Sequence, residues 1–382
     1  MNETKEVKGG VGVNKTAFKK RMEKLQSAMR AEGIDVCLLV DRENLLYFGG
    51  IEQVECMAVV VPREGTPQGT TLSLDVPWVR ANCALEKVRG YRFPAETLAG
   101  SIIEIIKEFG YTNPVIGFER YFVGFAVFDT LRKHFDAGKF CNASGIIYKL
   151  RAVKDCEEID KIKKASQAVI AGMKAAVRAI RPGVREIDLA AEAEYAAMKS
   201  GSQGTPFRIQ IVSGEKTMLT HPFSDSKTVK EGEIVLIHIG ARVQGYTAKM
   251  CRTAAVGAVP KEQKMVYEVL KKAQRAGIAA MKPGVPCSEV DRAARQEIYE
   301  AGFDDADFLD VIGHGIGLRQ SEFYPMIGKN FSYTLQANMV VDILLPSIYR
   351  PGAGGSRITD TIWIRGDGAE VLTNYPADLI QA

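Results

Sequence analysis

A repeat constrains this chain most. The segment "GMKAAVRAIRPGVREIDLAAEAEYAAMKSG" returns as "AQRAGIAAMKPGVPCSEVDRAARQEIYEAG", with Pro-Gly-Val triplets starting at 182 and 283, 101 residues apart. Each copy reads as helix, Pro-Gly turn, helix, and each is followed by an apolar run, "EIVLIHIG" or "NMVVDILLP". Such short runs, bounded by turn residues, read as buried central strands. Two copies are too few for a solenoid, which needs at least three units. Two halves that join their sheets and cover them with helix pairs satisfy the pattern. That arrangement leaves a cleft where the halves meet, lined by inner strand residues.

The residues before the repeat alternate differently. "KRMEKLQSAMRAEG" has helical periodicity and stops at Gly33. "DVCLLV", "CMAVVVP", "TTLSLD" and "PVIGFE" read as short strands, "YFGG" as a turn and "LAGSIIEIIKEFGY" as an amphipathic helix. A long helix then opens, with Asp155, Glu157 and Glu158 at its positive end. The expected organisation is therefore α/β (α+β): a small α/β domain over 1–150 and a second, internally repeated domain over 151–382.

Composition excludes several classes. With 46% hydrophobic and 25% charged residues and a net charge of +4, the chain is an ordinary globular one. No basic run with interleaved aromatics points to nucleic acid. No apolar stretch approaches the roughly 20 residues that span a bilayer. The first residues, "MNETKEVKGG", have no apolar core and do not read as a signal peptide. Seven scattered cysteines without CxxC spacing suit free thiols in a reducing cytoplasm.

Five landmarks carry a resemblance: "KLRAVKDCEEIDKIKKA", "THP", "GARVQGYTAKMCRT", "GHGIGL" and "GAEVLTNYP". In this order they resemble the creatinase/aminopeptidase P family, across essentially the whole chain. The resemblance implies a creatinase-like N-terminal domain and a C-terminal pita-bread domain with an internal pseudo-two-fold. It also implies a dinuclear metal centre held by two aspartates, a histidine and two glutamates. At those positions stand His238, Lys249, His314, Leu344 (Leu345 if the alignment is anchored on the following proline) and Thr359. Only the histidine is kept. A charged lysine has three donors and no acceptor, so it cannot ligate. Leucine and threonine bring no charge to offset about four positive charges of two divalent ions. The expectation is a metal-free site without a cofactor, as in the creatinase-type members. A different, mononuclear site using Asp342 and Asp360 with two histidines is the alternative.

The functional expectation is a metal-independent hydrolase that cleaves a C–N bond (amide, amidine or lactam) of a small anionic or zwitterionic substrate. His221, in "MLTHPFSD", stands where the resemblance places a proton-shuttling histidine. His314 and Glu322 complete the catalytic set, with Glu322 holding His221 or the substrate. Lys249 is expected to bind the substrate anion or a developing oxyanion, and His238, Thr359 and Ser321 to line the pocket. Asp342, two residues before Leu344 and so on the same strand face, is the expected partner of Lys249. His134 reads as a surface helix residue. The loop "GGIEQVECM" corresponds to one that reaches a neighbour's cleft, so Gln53 and Glu55 are expected there in a homodimer. Two other functions are compatible with the sequence: an Xaa-Pro peptidase, and a pita-bread protein that only binds.

Overall fold

The computed structural model describes residues 15–52, 56–121, 123–135, 139–345, 348–352 and 355–382. The chain parts between Arg151 and Ala152 into two compact units.

The first unit runs α1 (Lys15–Ala31), β1 (Val36–Leu39), α2 (Arg42–Gly49), β2 (Ala58–Pro62), β3 (Gln68–Leu72), α3 (Val76–Asn82), β4 (Lys87–Tyr91), α4 (Leu98–Glu108), β5 (Ile116–Phe118), α5 (Phe125–His134) and β6 (Phe140–Asn142). Its described strands form a mixed sheet in the order β4-β3-β2-β1-β5-β6. The core packs Val36, Leu38, Val60 and Ile116 of the strands against Ile102, Ile105 and Ile106 of α4. The "YFGG" stretch, expected as a turn, is the last turn of helix α2. Asp41 caps that helix by accepting from Asn44 N–H, and Gly50 ends it at φ 72°, where a side chain would be strained. His134 ends α5 and is exposed.

Helix α6 (Ser144–Ala152) leads into the second unit, and the long helix α7 (Cys156–Ala179) follows. Asp155 caps α7 in a reciprocal capping box with Glu158. Next come α8 (Glu186–Lys199), β7 (Gln210–Ser213), β8 (Ile234–Val243), β9 (Tyr246–Ala255), α9 (Lys261–Ala280) and α10 (Cys287–Glu300). The chain closes with β10 (Val311–Gly315), β11 (Glu322–Gly328), β12 (Val340–Leu345), β13 (Ile358–Ile364), β14 (Ala369–Val371) and β15 (Ile380–Gln381). Both Pro-Gly turns need a left-handed glycine, Gly183 at φ 85° and Gly284 at φ 89°. The helix pairs α7/α8 and α9/α10 each cover one half of a joint sheet ordered β11-β10-β12-β13-β9-β8-β7. Among the described residues no helix is long and apolar enough to cross a membrane.

Strand alternation decides what faces the cleft. On β8, Val235, Ile237, Ile239 and Ala241 enter the core under α7 and α8; on β9, Ala248, Met250 and Ala254 do the same. The intervening His238, Lys249 and Cys251 therefore point to the face without helices. On β12 and β13, Val341, Ile343, Ile358 and Ile362 enter the core under α9 and α10, which turns Asp342, Thr359 and Thr361 to that same face.

Candidate active site

The two halves join where β13 meets β9, with Thr359 opposite Cys251. His238 also faces Cys251 from β8, and Leu344 pairs with Thr359 from β12. The register thus sets His238, Cys251, Thr359 and Leu344 in one row across the seam, and puts Leu344 rather than Leu345 opposite Thr359. Lys249 lies two residues along β9. Its backbone is fixed by Thr361, whose hydroxyl accepts from Lys249 N–H at 3.0 Å and donates to its carbonyl at 2.9 Å.

Lys249 is 2% exposed and Asp342 is 0% exposed. The ammonium nitrogen lies 2.7 Å from Asp342 Oδ2, an ionic contact off the ideal hydrogen-bond direction. It also stands 3.1 Å from His314 Nε2. The other His314 nitrogen, Nδ1, is 3.0 Å from the Gly315 carbonyl. A carbonyl only accepts, so Nδ1 carries the proton and Nε2 accepts from Lys249. Asp342 Oδ1 in turn accepts the His314 backbone N–H at 2.7 Å. Burial pulls the His314 ring below its ordinary pKa, with Asp342 acting in the opposite direction. The centre is a buried ammonium gripped by a neutral imidazole and a carboxylate. Asp342 thus stands beside Lys249 and tempers the charge that the ammonium presents to a substrate anion. Asp342 neutralises most of that charge, because an unpaired buried ammonium would cost several kcal/mol.

His238 is held differently. Its Nδ1 lies 3.4 Å from Gln210 Oε1, and the Phe207 ring packs 4.7 Å from its own. Its Nε2 is buried without a hydrogen-bond partner among the described residues, as is the Thr359 hydroxyl. Burial first, then the positive charges of Lys249 and Arg357, hold His238 well below its ordinary pKa. With Nδ1–H donating to Gln210, Nε2 offers a lone pair. Phe207 escaped the sequence reading. A local signal for it existed in Gly240: a Cβ there would sit 2.6 Å from the Phe207 ring.

His221 follows a 3-10 turn, Gly214–Met218, and is exposed. Its ring makes no hydrogen bond among the described residues, so the expected Glu322–His221 bond is not formed. Glu322 is 4% exposed, opens β11 opposite Gly315, and accepts from Arg319 N–H at 3.2 Å. Ser321 is half-buried beside it. Gln53 and Glu55 lie outside the described residues.

A dinuclear metal centre does not fit these residues. The position of His314 Nε2 that would face a metal is taken by the Lys249 ammonium, and a dication beside it would be repelled. Asp360 cannot help Asp342 build a mononuclear site either. Its carboxylate turns to the helix side, where Arg252 (2.9 and 3.1 Å), Gln274 (3.0 Å) and Thr373 (2.7 Å) bond it. Among the described residues no three His, Cys, Asp or Glu side chains are grouped to hold a metal.

The family model for metallopeptidase family M24 matches residues 160–366. The chain belongs to the M24 metallopeptidase family. The creatinase/prolidase N-terminal domain model matches residues 21–153, and the second unit has the pita-bread fold. A relative described as Xaa-Pro dipeptidase, from Pyrococcus furiosus, is 30% identical over 95% of this chain and 100% of its own. A solved structure titled Xaa-Pro dipeptidase, from Bacillus anthracis, superposes with a TM-score of 0.88 at 30% identity, covering 96% of this chain and 100% of that one. The X-Pro aminopeptidase of Thermotoga maritima gives 0.82 at 28% identity, with 94% and 99% covered. This M24 chain thus keeps the family's architecture, and no three His, Cys, Asp or Glu side chains among its described residues are grouped to hold a metal.

Proposed function

We propose that this M24 chain hydrolyses a C–N bond of peptide or amide type in a small substrate carrying a negative charge, and does so without a divalent metal. The names of its relatives support the bond type. The observation that carries the metal-free route is the Lys249 ammonium seated between His314 Nε2 and Asp342. An ammonium has three protons, and one remains for a substrate. With the Thr359 hydroxyl, it can stabilise the oxygen that becomes negative when water attacks the carbonyl carbon. His238 Nε2 accepts a hydrogen bond from the water or from a substrate N–H. His221, unengaged by the protein, takes the water's proton and returns it to the leaving nitrogen as the C–N bond breaks, giving an acid and an amine. The negative substrate group answers the positive field of the cleft, to which the buried Arg357 guanidinium adds: it is 4% exposed, binds backbone carbonyls and has no carboxylate partner among the described residues.

A cytoplasmic homodimer belongs to the same proposal on the strength of the family resemblance. A binding-only protein is the second reading, favoured by the absence, among the described residues, of any bond orienting the His221 ring. The test is a panel of dipeptides, N-acyl amino acids and small amidines, incubated with excess chelator. Turnover that chelator leaves unchanged is expected. Turnover that appears only after adding Mn²⁺ or Co²⁺ would overturn the metal-free route, and no turnover of any compound with measurable binding would favour the second reading.

A further inference from the structure

The His221 side chain makes no hydrogen bond among the described residues, so its location is set by the backbone that delivers it. Besides the local bonds of the 3-10 turn and the Lys216 pairs with Glu186 and Asp225, that backbone is held to the sheet by Arg357. Arg357 Nη1 donates to the Thr220 carbonyl at 3.2 Å, and Nη2 donates to the Thr217 carbonyl at 3.3 Å and to the Leu219 carbonyl. Three carbonyls within the four residues preceding His221 thus converge on one guanidinium. The arginine is anchored in turn. Its N–H donates to Thr253 Oγ1 at 2.9 Å, and that hydroxyl donates back to the Arg357 carbonyl at 3.0 Å. Thr253 lies on β9, two residues past Cys251, and Arg357 lies two residues before Thr359 on the same face. Gly355 lets the turn come close, since a Cβ there would be 2.0 Å from Thr217 Oγ1.

A buried guanidinium that binds carbonyls and no carboxylate is an expensive fixture. A hydrophobic side chain would fill the space more cheaply. Its planar fork reaches several acceptors at once, which a lysine does less well. We propose that Arg357 is the positioning residue for His221: it clamps the 217–220 turn to the β9–β13 seam, and so sets the distance between the exposed imidazole and the Lys249–His314–Asp342 centre. The same guanidinium, after burial and Lys249, helps to hold the His238 pKa below its ordinary range. The proposal rests on His221 being the proton shuttle, yet its geometric content is testable without any substrate.

The chain has four histidines, so ring signals of the full-length, histidine-labelled protein can be assigned by single His→Gln changes. Arg357→Met should shift the His221 ring signals towards those of a flexible peptide and raise the pH at which His238 protonates, leaving His134 unchanged. Arg357→Lys, which keeps the charge and loses the fork, should free His221 while leaving His238 near its wild-type behaviour. Thr253→Val keeps the guanidinium and loosens its anchor, and covers the case in which Arg357→Met does not fold; it should produce a smaller His221 shift of the same direction. Unchanged His221 signals in a folded Arg357→Lys or Thr253→Val protein would overturn the clamp, whatever the enzyme proves to hydrolyse.

Discussion

Replacing Lys249 by methionine should destabilise the protein, because it keeps the length of the side chain and strips Asp342 of its ammonium partner. In the wild type both groups are almost wholly buried, at 2% and 0% exposure, with nitrogen and oxygen 2.7 Å apart. Methionine leaves the carboxylate buried and unpaired, a loss of about 3–5 kcal/mol. For a unit of residues 152–382 that is roughly 10 °C in unfolding temperature. Asp342→Asn should cost a similar amount by stranding the ammonium, although Asn Oδ1 can still accept the His314 backbone N–H. The double change, Lys249→Met with Asp342→Asn, removes both charges and keeps that acceptor. It should be more stable than either single variant, with a coupling energy of about 2–4 kcal/mol by urea unfolding. Single changes that cost less than about 1 kcal/mol, or that simply add in the double variant, would refute the buried ion pair as the organiser of the site.

The folded protein should lose stability as pH falls below about 6.5. His238 and His314 both titrate below their ordinary range when folded, so the unfolded chain binds more protons there. Each ring removes about 1.4 kcal/mol per pH unit until its folded pKa is passed; urea midpoints at pH 7.5, 6.5 and 5.5 measure this, and His238→Gln should flatten the slope. His221→Ala should leave stability within about 0.5 kcal/mol, since the ring is exposed and unbonded. It should nevertheless lower turnover by about 10²–10⁴-fold. Sedimentation at micromolar concentration should return a dimer, and a fully active monomer would exclude a shared cleft.

Much of this was legible in the sequence, for identifiable reasons. The duplicated Pro-Gly turns report a backbone that only glycine reaches easily, and so they mark both helix pairs. His238 and Lys249 were reached from the positions the family resemblance supplies, because "EIVLIHIG" is apolar on both faces and has no alternation to sort them. Asp342 was reached from strand spacing, two residues before Leu344. What could not be read depends on distant partners. Arg357 binds Thr217 across 140 residues and Arg252 binds Asp360 across 108, and neither spacing leaves a local pattern. The "GAGGSR" stretch shows only that it is not a phosphate loop. Asp360 stands one residue from Thr359 and faces the opposite side of the sheet, which removes it from the cleft. The "YFGG" stretch was misread because its two glycines look like a turn, whereas they finish a short helix whose start is set by the Asp41 cap.

The central claim is that a lysine ammonium occupies the cation's place in an M24 fold. Its most direct test is titration of chelator-treated protein with Co²⁺ and Mn²⁺, followed by elemental analysis after desalting. The account predicts no stoichiometric metal, no cobalt absorption bands and an unfolding temperature unmoved by either ion. One tightly held equivalent per chain, with a matching rise in unfolding temperature, would contradict it.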